Sequence, residues 1–395
     1  MNIFLSKIYN ILSNNIGLKL LYLTSSFTFI TSLSNIPYIS ILTKISIIFA
    51  IALIPIGIIS SILDFKNNKI IYILIYSFLF LNLYLVLFKY PVIDNIKAFI
   101  INIILLLVFF SVNTNKSNDG LKKDIYIFSS FYTILTLIFS LISLVLIYLN
   151  INPDLAGLFN NENALGIAAG ISLILSLYIL LCSKKTLFKI INLINIIIQF
   201  ITMIVAGGRS SYLLLIIPIF ILVFINIKSK LIKCSMIFIP LISFFALLFS
   251  SPKISRIIFT GRENIWKASL NLIKQYPLRG VGNDRLVFNL HSFTSYELNG
   301  IEAGGCHNIY IQIAAVNGLI LLLLFIILLC AIILPIYKYV KAHKTNYKIL
   351  LLFCLIIGIL LINILESSLV YSVSFISITF WSISSYLLAY IRRNI

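Results

Sequence analysis

Long apolar runs broken by short polar clusters set the pattern of this chain, and within the runs the apolar residues are continuous rather than alternating. About 20 apolar residues carry a helix across a hydrocarbon core of roughly 30 Å, and only helices or closed barrels satisfy their backbone groups in lipid. Continuity selects the helical answer. Twelve runs qualify, near residues 16–34, 40–63, 70–88, 98–113, 126–149, 163–182, 189–206, 211–227, 232–250, 308–334, 348–365 and 368–390, the fourth being the shortest. The pattern predicts an all-α, polytopic membrane protein. It divides into N-terminal transmembrane helices over 1–150, central transmembrane helices over 151–250, a long polar loop with short amphipathic helices over 251–306, and C-terminal transmembrane helices over 307–395.

Composition sharpens this picture. With 61% hydrophobic and 10% charged residues the chain is no ordinary soluble protein. Met1–Asn15 is polar and the run after it lacks a small-residue cleavage site, so no cleavable leader is expected. The formal net charge of +19 is spread in clusters between runs rather than gathered on one surface, which argues against nucleic acid as a partner. Lys7 and Lys19, Lys66 and Lys69, Lys116 with Lys122 and Lys123, Lys184 with Lys185 and Lys189, Lys228 with Lys230 and Lys233, Lys338 through Lys348, and Arg392 with Arg393 all fall on one side of the predicted spans. The excess of cations marks that face, and both termini with it, as cytoplasmic. Five scattered cysteines give neither a disulfide framework nor metal-ligand spacing.

The opposite face carries four polar constellations. Asn160, Asn161 and Asn163, with Glu162, stand at the mouth of the sixth span, suited either to orient sugar hydroxyls or simply to cap the helix. Gly207-Gly-Arg209-Ser-Ser211 turns the chain tightly between two spans; Arg209 could meet a phosphate in bidentate geometry, or snorkel to headgroups. Thr260-Gly-Arg262-Glu263 reads as a capping box opening an amphipathic helix that ends at Pro277. Its stripe of Ile265, Leu272 and Tyr276, with Trp266, Leu270 and Ile273 beside it, suits a helix lying on the outer leaflet, with Arg262 at its start. Gly304-Gly-Cys-His307-Asn308-Ile-Tyr-Ile-Gln312 opens the tenth span. His307 there could take a proton from a hydroxyl or serve as a structural hydrogen-bonder, while Asn308 and Gln312, four apart, could hold a sugar. No metal or other cofactor is expected. Glu366, at the outer end of the eleventh span, reads as a plain interfacial acid able to neutralise Arg209 or another cation.

Together NNENALG, GGRSS, GRENIWKASLNLIKQYPLRGVGN and CHNIYIQIAAVNGLI, in this order and spacing, resemble the O-antigen ligase and polysaccharide repeat-unit polymerase superfamily. The resemblance covers about Asn160 to Leu334; Cys306 and the Asn161-Glu162 pair depart from the usual pattern. It implies an inverting, metal-independent glycosyltransferase that moves a polyprenyl-diphosphate-linked oligosaccharide to an acceptor glycan at the outer face of the bacterial cytoplasmic membrane. Arg209 and Arg262 match arginines that engage the donor diphosphate, and His307 matches the residue that activates the acceptor hydroxyl. Trp266, Arg279 and Arg285, with Arg256, are secondary candidates for phosphate or glycan contact. Expected partners are the lipid-linked oligosaccharide, the acceptor glycan and the bilayer, with room for a chain-length regulator protein. The reading chosen is a repeat-unit polymerase. A ligase that moves finished glycan to a lipid or protein acceptor is the alternative, and a polysaccharide flippase is the alternative of another class. A flippase calls for ionisable residues along its spans, which are nearly absent here.

Overall fold

A computed structural model describes residues 16–112, 116–151, 156–248, 250–294, 298, 300–301 and 305–394. The described residues are helical throughout, with only an isolated bridge between Thr31 and Phe159. In chain order come α1 (Ile16–Phe29), α2 (Pro37–Ala52), α3 (Ile54–Leu63), α4 (Phe65–Phe88), α5 (Ile93–Ile103), α6 (Asn118–Tyr148), α7 (Glu162–Cys182), α8 (Thr186–Ala206) and α9 (Leu213–Asn226). Then follow α10 (Lys230–Leu248), the loop helices α11 (Pro252–Phe259), α12 (Arg262–Gln275) and α13 (Leu286–Ser292), then α14 (Ile309–Asn317), α15 (Leu319–Ala342), α16 (Tyr347–Ile362) and α17 (Phe375–Arg392).

Helix forms over each of the twelve apolar runs, but seven of the described helices are long and apolar enough to cross a membrane by themselves, or eight if the bent pair α2 and α3 is one span. Three runs are corrected in detail. Residues 40–63 bend by 40° between α2 and α3. The run 308–334 breaks at Gly318, whose φ of 88° no β-carbon residue adopts readily. The run 368–390 becomes helix only at Phe375, and residues 363–374 stay irregular. Hydropathy averaged over a span does not resolve the first two breaks, where Leu53 and Gly318 interrupt apolar runs, whereas residues 363–374 carry Asn363, Glu366 and four serines.

The core is built around α7, which packs against α6, α8, α9 and α16. Its sequence GIAAGISLILS explains that position, since small residues let backbones approach in lipid. A methyl group at Gly166 would press on Ser211, and one at Gly170 would come within 2.6 Å of Leu214. Polar bonds supplement the packing: Ser140 donates to Gln199, Gln199 to Asn195 and Asn195 to Ser176, at 2.8–2.9 Å, joining α6, α8 and α7. By contrast, α10 has no buried residue and presents its whole apolar length outward.

Lys19 corrects the reading of the basic clusters. It is fully buried, its Nζ donating to the Phe109 carbonyl at 2.8 Å and lying 4.3 Å from the Tyr386 ring centre. It therefore satisfies carbonyls where the π-helical extension of α5 ends (Ile104–Phe109), and is not part of a surface charge cluster. Lys7 lies outside the described residues.

Candidate active site

A cavity of about 660 Å³ opens where the N-terminal end of α7, the start of α14 and the segment between α16 and α17 meet. Both parts of the molecule line it. Asn283, Leu286, Gly305 and His307 come from the loop, and Ser26, Asn160, Asn161 and residues 366–376 from the bundle.

Backbone stitching brings the chemistry together. Asn308 caps α14, its Oδ1 accepting from the Tyr310 and Ile311 amides at 3.0 and 3.1 Å. Its own N–H donates to Ser367 Oγ at 2.9 Å, and the Ile309 N–H donates to the carbonyls of Asn363 and Glu366 at 3.0 Å each. The turn after α16 is thereby fixed to the start of α14, which places Glu366 beside His307. From the other side α12 clamps the preceding residue: Trp266 Nε1–H donates to the Cys306 carbonyl at 3.0 Å and Ser269 Oγ to Cys306 Sγ at 3.4 Å. Gln312 Oε1 accepts from the Cys306 N–H at 3.3 Å. So constrained, His307 adopts φ +46°, a left-handed backbone that costs energy for a side chain larger than glycine. Tyr371, on the opposite wall, does the same at φ +67° and donates to Asn317 Oδ1 at 2.6 Å.

The three polar side chains at the centre are largely shielded, Arg262, His307 and Glu366 being 12%, 18% and 19% exposed. Arg262 Nη2 donates to Glu366 Oε1 at 3.0 Å. His307 Nε2 lies 3.1 Å from the Gly300 carbonyl, which can only accept, so Nε2 carries the proton. Nδ1 then holds a lone pair; it is buried, has no hydrogen-bond partner among the described residues and lies 4.0 Å from Glu366 Oε2. Burial, and next the Arg262 charge, push the imidazole down to about 4, while burial pushes the Glu366 carboxyl up against the pull of Arg262. The histidine is thus neutral at physiological pH and poised to accept a proton at Nδ1.

The expected site residues fall into three groups. Asn160, Asn161, Gln312 and His307 line the cavity, though Asn161 also caps α7, accepting from the Ala164 N–H at 2.8 Å. Arg262 adjoins it through Glu366. Arg209, Asn163, Trp266, Asn308, Arg279 and Arg285 do not line it. Arg209 sits exposed on the 3-10 turn Arg209–Tyr212, which packs against the start of α7: a methyl at Gly208 would meet the Glu162 carbonyl at 2.8 Å. Asn163 accepts from Ser210 of that turn at 3.5 Å. Arg279 lies exposed over the Tyr276 ring, and Arg285 faces Asp284 at 3.8 Å. The side chain of Arg256 and Gly304 lie outside the described residues.

Several expectations need correction. Thr260 does not cap α12; Gly261 does, with φ +91°, while the Thr260 hydroxyl donates to the Phe259 carbonyl. Nor is the apolar stripe of α12 free to face a leaflet. Ile265, Trp266, Ala268, Leu272 and Ile273 are buried against α14 and the protein core, and Leu270 points outward. Trp266 therefore positions Cys306 and is too enclosed to touch a sugar. Asn308 spends its side-chain oxygen on the helix cap. Glu366 is no plain interfacial acid: it pairs with Arg262, not Arg209, and faces His307. One sequence signal pointed to it, since it is the only Asp or Glu after Glu302. Ser367, Ser368, Ser372 and Ser374, which hang hydroxyls along the wall, were hidden inside an apolar run.

Residues 194–326, roughly a third of the chain, match a family model described as O-antigen ligase. No match to a curated protein accompanies it. The matched stretch holds Arg209, Arg262 and His307, whereas Asn160, Asn161 and the 366–376 wall come from outside it.

Proposed function

We propose that this multi-pass membrane protein of the O-antigen ligase and polymerase superfamily is a repeat-unit polymerase, joining polyprenyl-diphosphate-linked oligosaccharides at the outer face of the cytoplasmic membrane. The observation that carries the reading is the neutral His307, with Nε2 anchored on the Gly300 carbonyl and Nδ1 unpartnered beside Glu366 in a glycan-sized cavity. An acceptor hydroxyl entering there donates to Nδ1. As its oxygen attacks the anomeric carbon, the bond to the diphosphate breaks and the proton passes to the imidazole. Charge develops on the departing diphosphate; Arg262 beside the cavity, with Arg209 on the exposed turn packed against the start of α7, supplies the cations to stabilise it where the diphosphate extends beyond the cavity. Arg262 uses one guanidinium nitrogen on Glu366 in this state and has further donors to offer. Glu366 steadies the imidazolium as it forms. The hydroxyls of residues 367–374, with Asn160 and Asn161, suit the polyhydroxylated sugar. The basic clusters at the far ends of the spans support cytoplasmic termini and an outward cavity.

The description of the matched family favours a second reading, a ligase that moves finished glycan to another acceptor. One experiment separates the two and tests both: the glycan profile of cells carrying Arg209→Ala, Arg262→Ala or His307→Asn at normal protein levels. A polymerase leaves single lipid-linked repeats, and a ligase leaves long chains on the lipid carrier. Unchanged surface glycan in all three variants would sink the enzymatic reading.

A further inference from the structure

A further large cavity lies at the opposite end of the helices that frame the candidate active site. Asn160–Asn161, Glu366 and Ser374 bound the first at the N-terminal end of α7, the C-terminal end of α16 and the N-terminal end of α17. The second, of about 780 Å³, is bounded by Cys182 at the end of α7, Asn346–Ile349 at the start of α16 and Tyr390 near the end of α17, closed by Lys122–Tyr126 of α6. The 21 residues of α7 span about 30 Å, the thickness of a hydrocarbon core. Each cavity therefore sits at one membrane–water interface.

The second cavity combines charge, phenol and apolar groups. Three lysines, Lys122, Lys123 and Lys348, converge on it. Lys122 is partly neutralised by Asp119 at 3.0 Å, but no carboxylate pairs with Lys123 or Lys348 among the described residues. Tyr126, Tyr347 and Tyr390 add phenol groups suited to headgroup level, and Ile125, Leu181 and Ile349 furnish an apolar wall. Cations, hydroxyl donors and aliphatic side chains around one cavity between helix ends are what a phosphate-bearing lipid headgroup and the first carbons of its acyl chains require. We propose that this cavity binds an anionic glycerophospholipid through its phosphate, at the leaflet opposite the active site. The lipid ties together the ends of α6, α7, α16 and α17.

The test is a lipid titration of the purified full chain in neutral detergent, read by native mass spectrometry, with phosphatidylglycerol as probe. Wild type should bind it saturably and prefer it to phosphatidylcholine. A Lys123→Gln, Lys348→Gln double variant should bind roughly 25-fold more weakly, since each lysine near a membrane surface contributes about a fivefold factor. Both lysines are exposed, so the variant should melt with wild type in the absence of added lipid. A Lys228→Gln, Lys230→Gln variant, which removes cations at the same end of the bundle but outside the cavity, should bind as wild type does. Equal retention by the cavity variant, equal loss by the control variant, or displacement of the lipid by millimolar inorganic phosphate would each overturn the proposal.

Discussion

The two ends of α7, α16 and α17 use the same helices for opposite electrostatic tasks. At the candidate-site end one arginine, one carboxylate and one imidazole are shielded together, so that burial, and then the Arg262 charge, act on the protonation of both the carboxyl and the imidazole. At the other end three exposed lysines line the cavity, and of these only Lys122 is paired with an acid among the described residues. Buried charges act on their neighbours strongly because little water screens them, whereas exposed charges act weakly and collectively. The first arrangement suits chemistry on one proton; the second suits holding an anion in place.

Four variants would break or sharpen that contrast. His307→Asn should have the largest effect. It keeps a residue that tolerates the left-handed backbone while removing the base, and turnover of a lipid-linked repeat should fall by about 10²-fold or more, with little change in thermal midpoint. Gly318→Ala comes next. An added methyl would collide with the Leu278 carbonyl, and the φ of 88° is strained for alanine, so a loss of about 2 kcal/mol or more in unfolding free energy is expected. Arg262→Gln should move the pH profile. In wild type His307 stays neutral down to about pH 4, so the rate should be flat through the physiological range. Removing the guanidinium removes one of the two causes that hold the imidazole down, so its value rises and the acid limb shifts to higher pH. An unmoved limb would dissociate Arg262 from the base. Smallest is the change at the other end: Lys123→Gln with Lys348→Gln should leave turnover in neutral detergent within about twofold of wild type.

Much of this was legible in the sequence, though unevenly. Continuous apolar runs report helices faithfully, because burying a backbone in lipid leaves few alternatives. Polar residues in a nearly apolar chain are conspicuous, which is why Asn160, Asn161, His307 and Gln312 could be marked as candidates from the sequence. What failed was anything that depends on partner rather than type. Trp266 and the stripe of α12 fit a lipid surface and a protein surface equally well, and only the contact with α14 decides between them. Thr260 and Glu263 have the spacing of a capping box, but Gly261, with its left-handed backbone, takes the cap. Glu366 was visible as a lone acid, yet its pairing with Arg262 spans 104 residues and has no local signature.

The break at Gly318 has a consequence beyond the interruption of a span. The Val281 and Gly282 amides donate to the carbonyls of Ala315 and Val316 at 3.0 Å, and the Leu319 amide donates to the Pro277 carbonyl at 2.7 Å. Gly280 and Gly318 make the approach possible, because a methyl on either would strike the facing backbone. The turn Leu278-Arg-Gly-Val-Gly282 is thereby riveted to the membrane bundle at its waist. A loop fastened in that way is masonry rather than a door: Asn283 and Leu286, which follow the turn, give the cavity a wall of fixed shape, and under the proposed polymerase reading a growing sugar chain would find room at the Asn160–Asn161 rim or along residues 366–376.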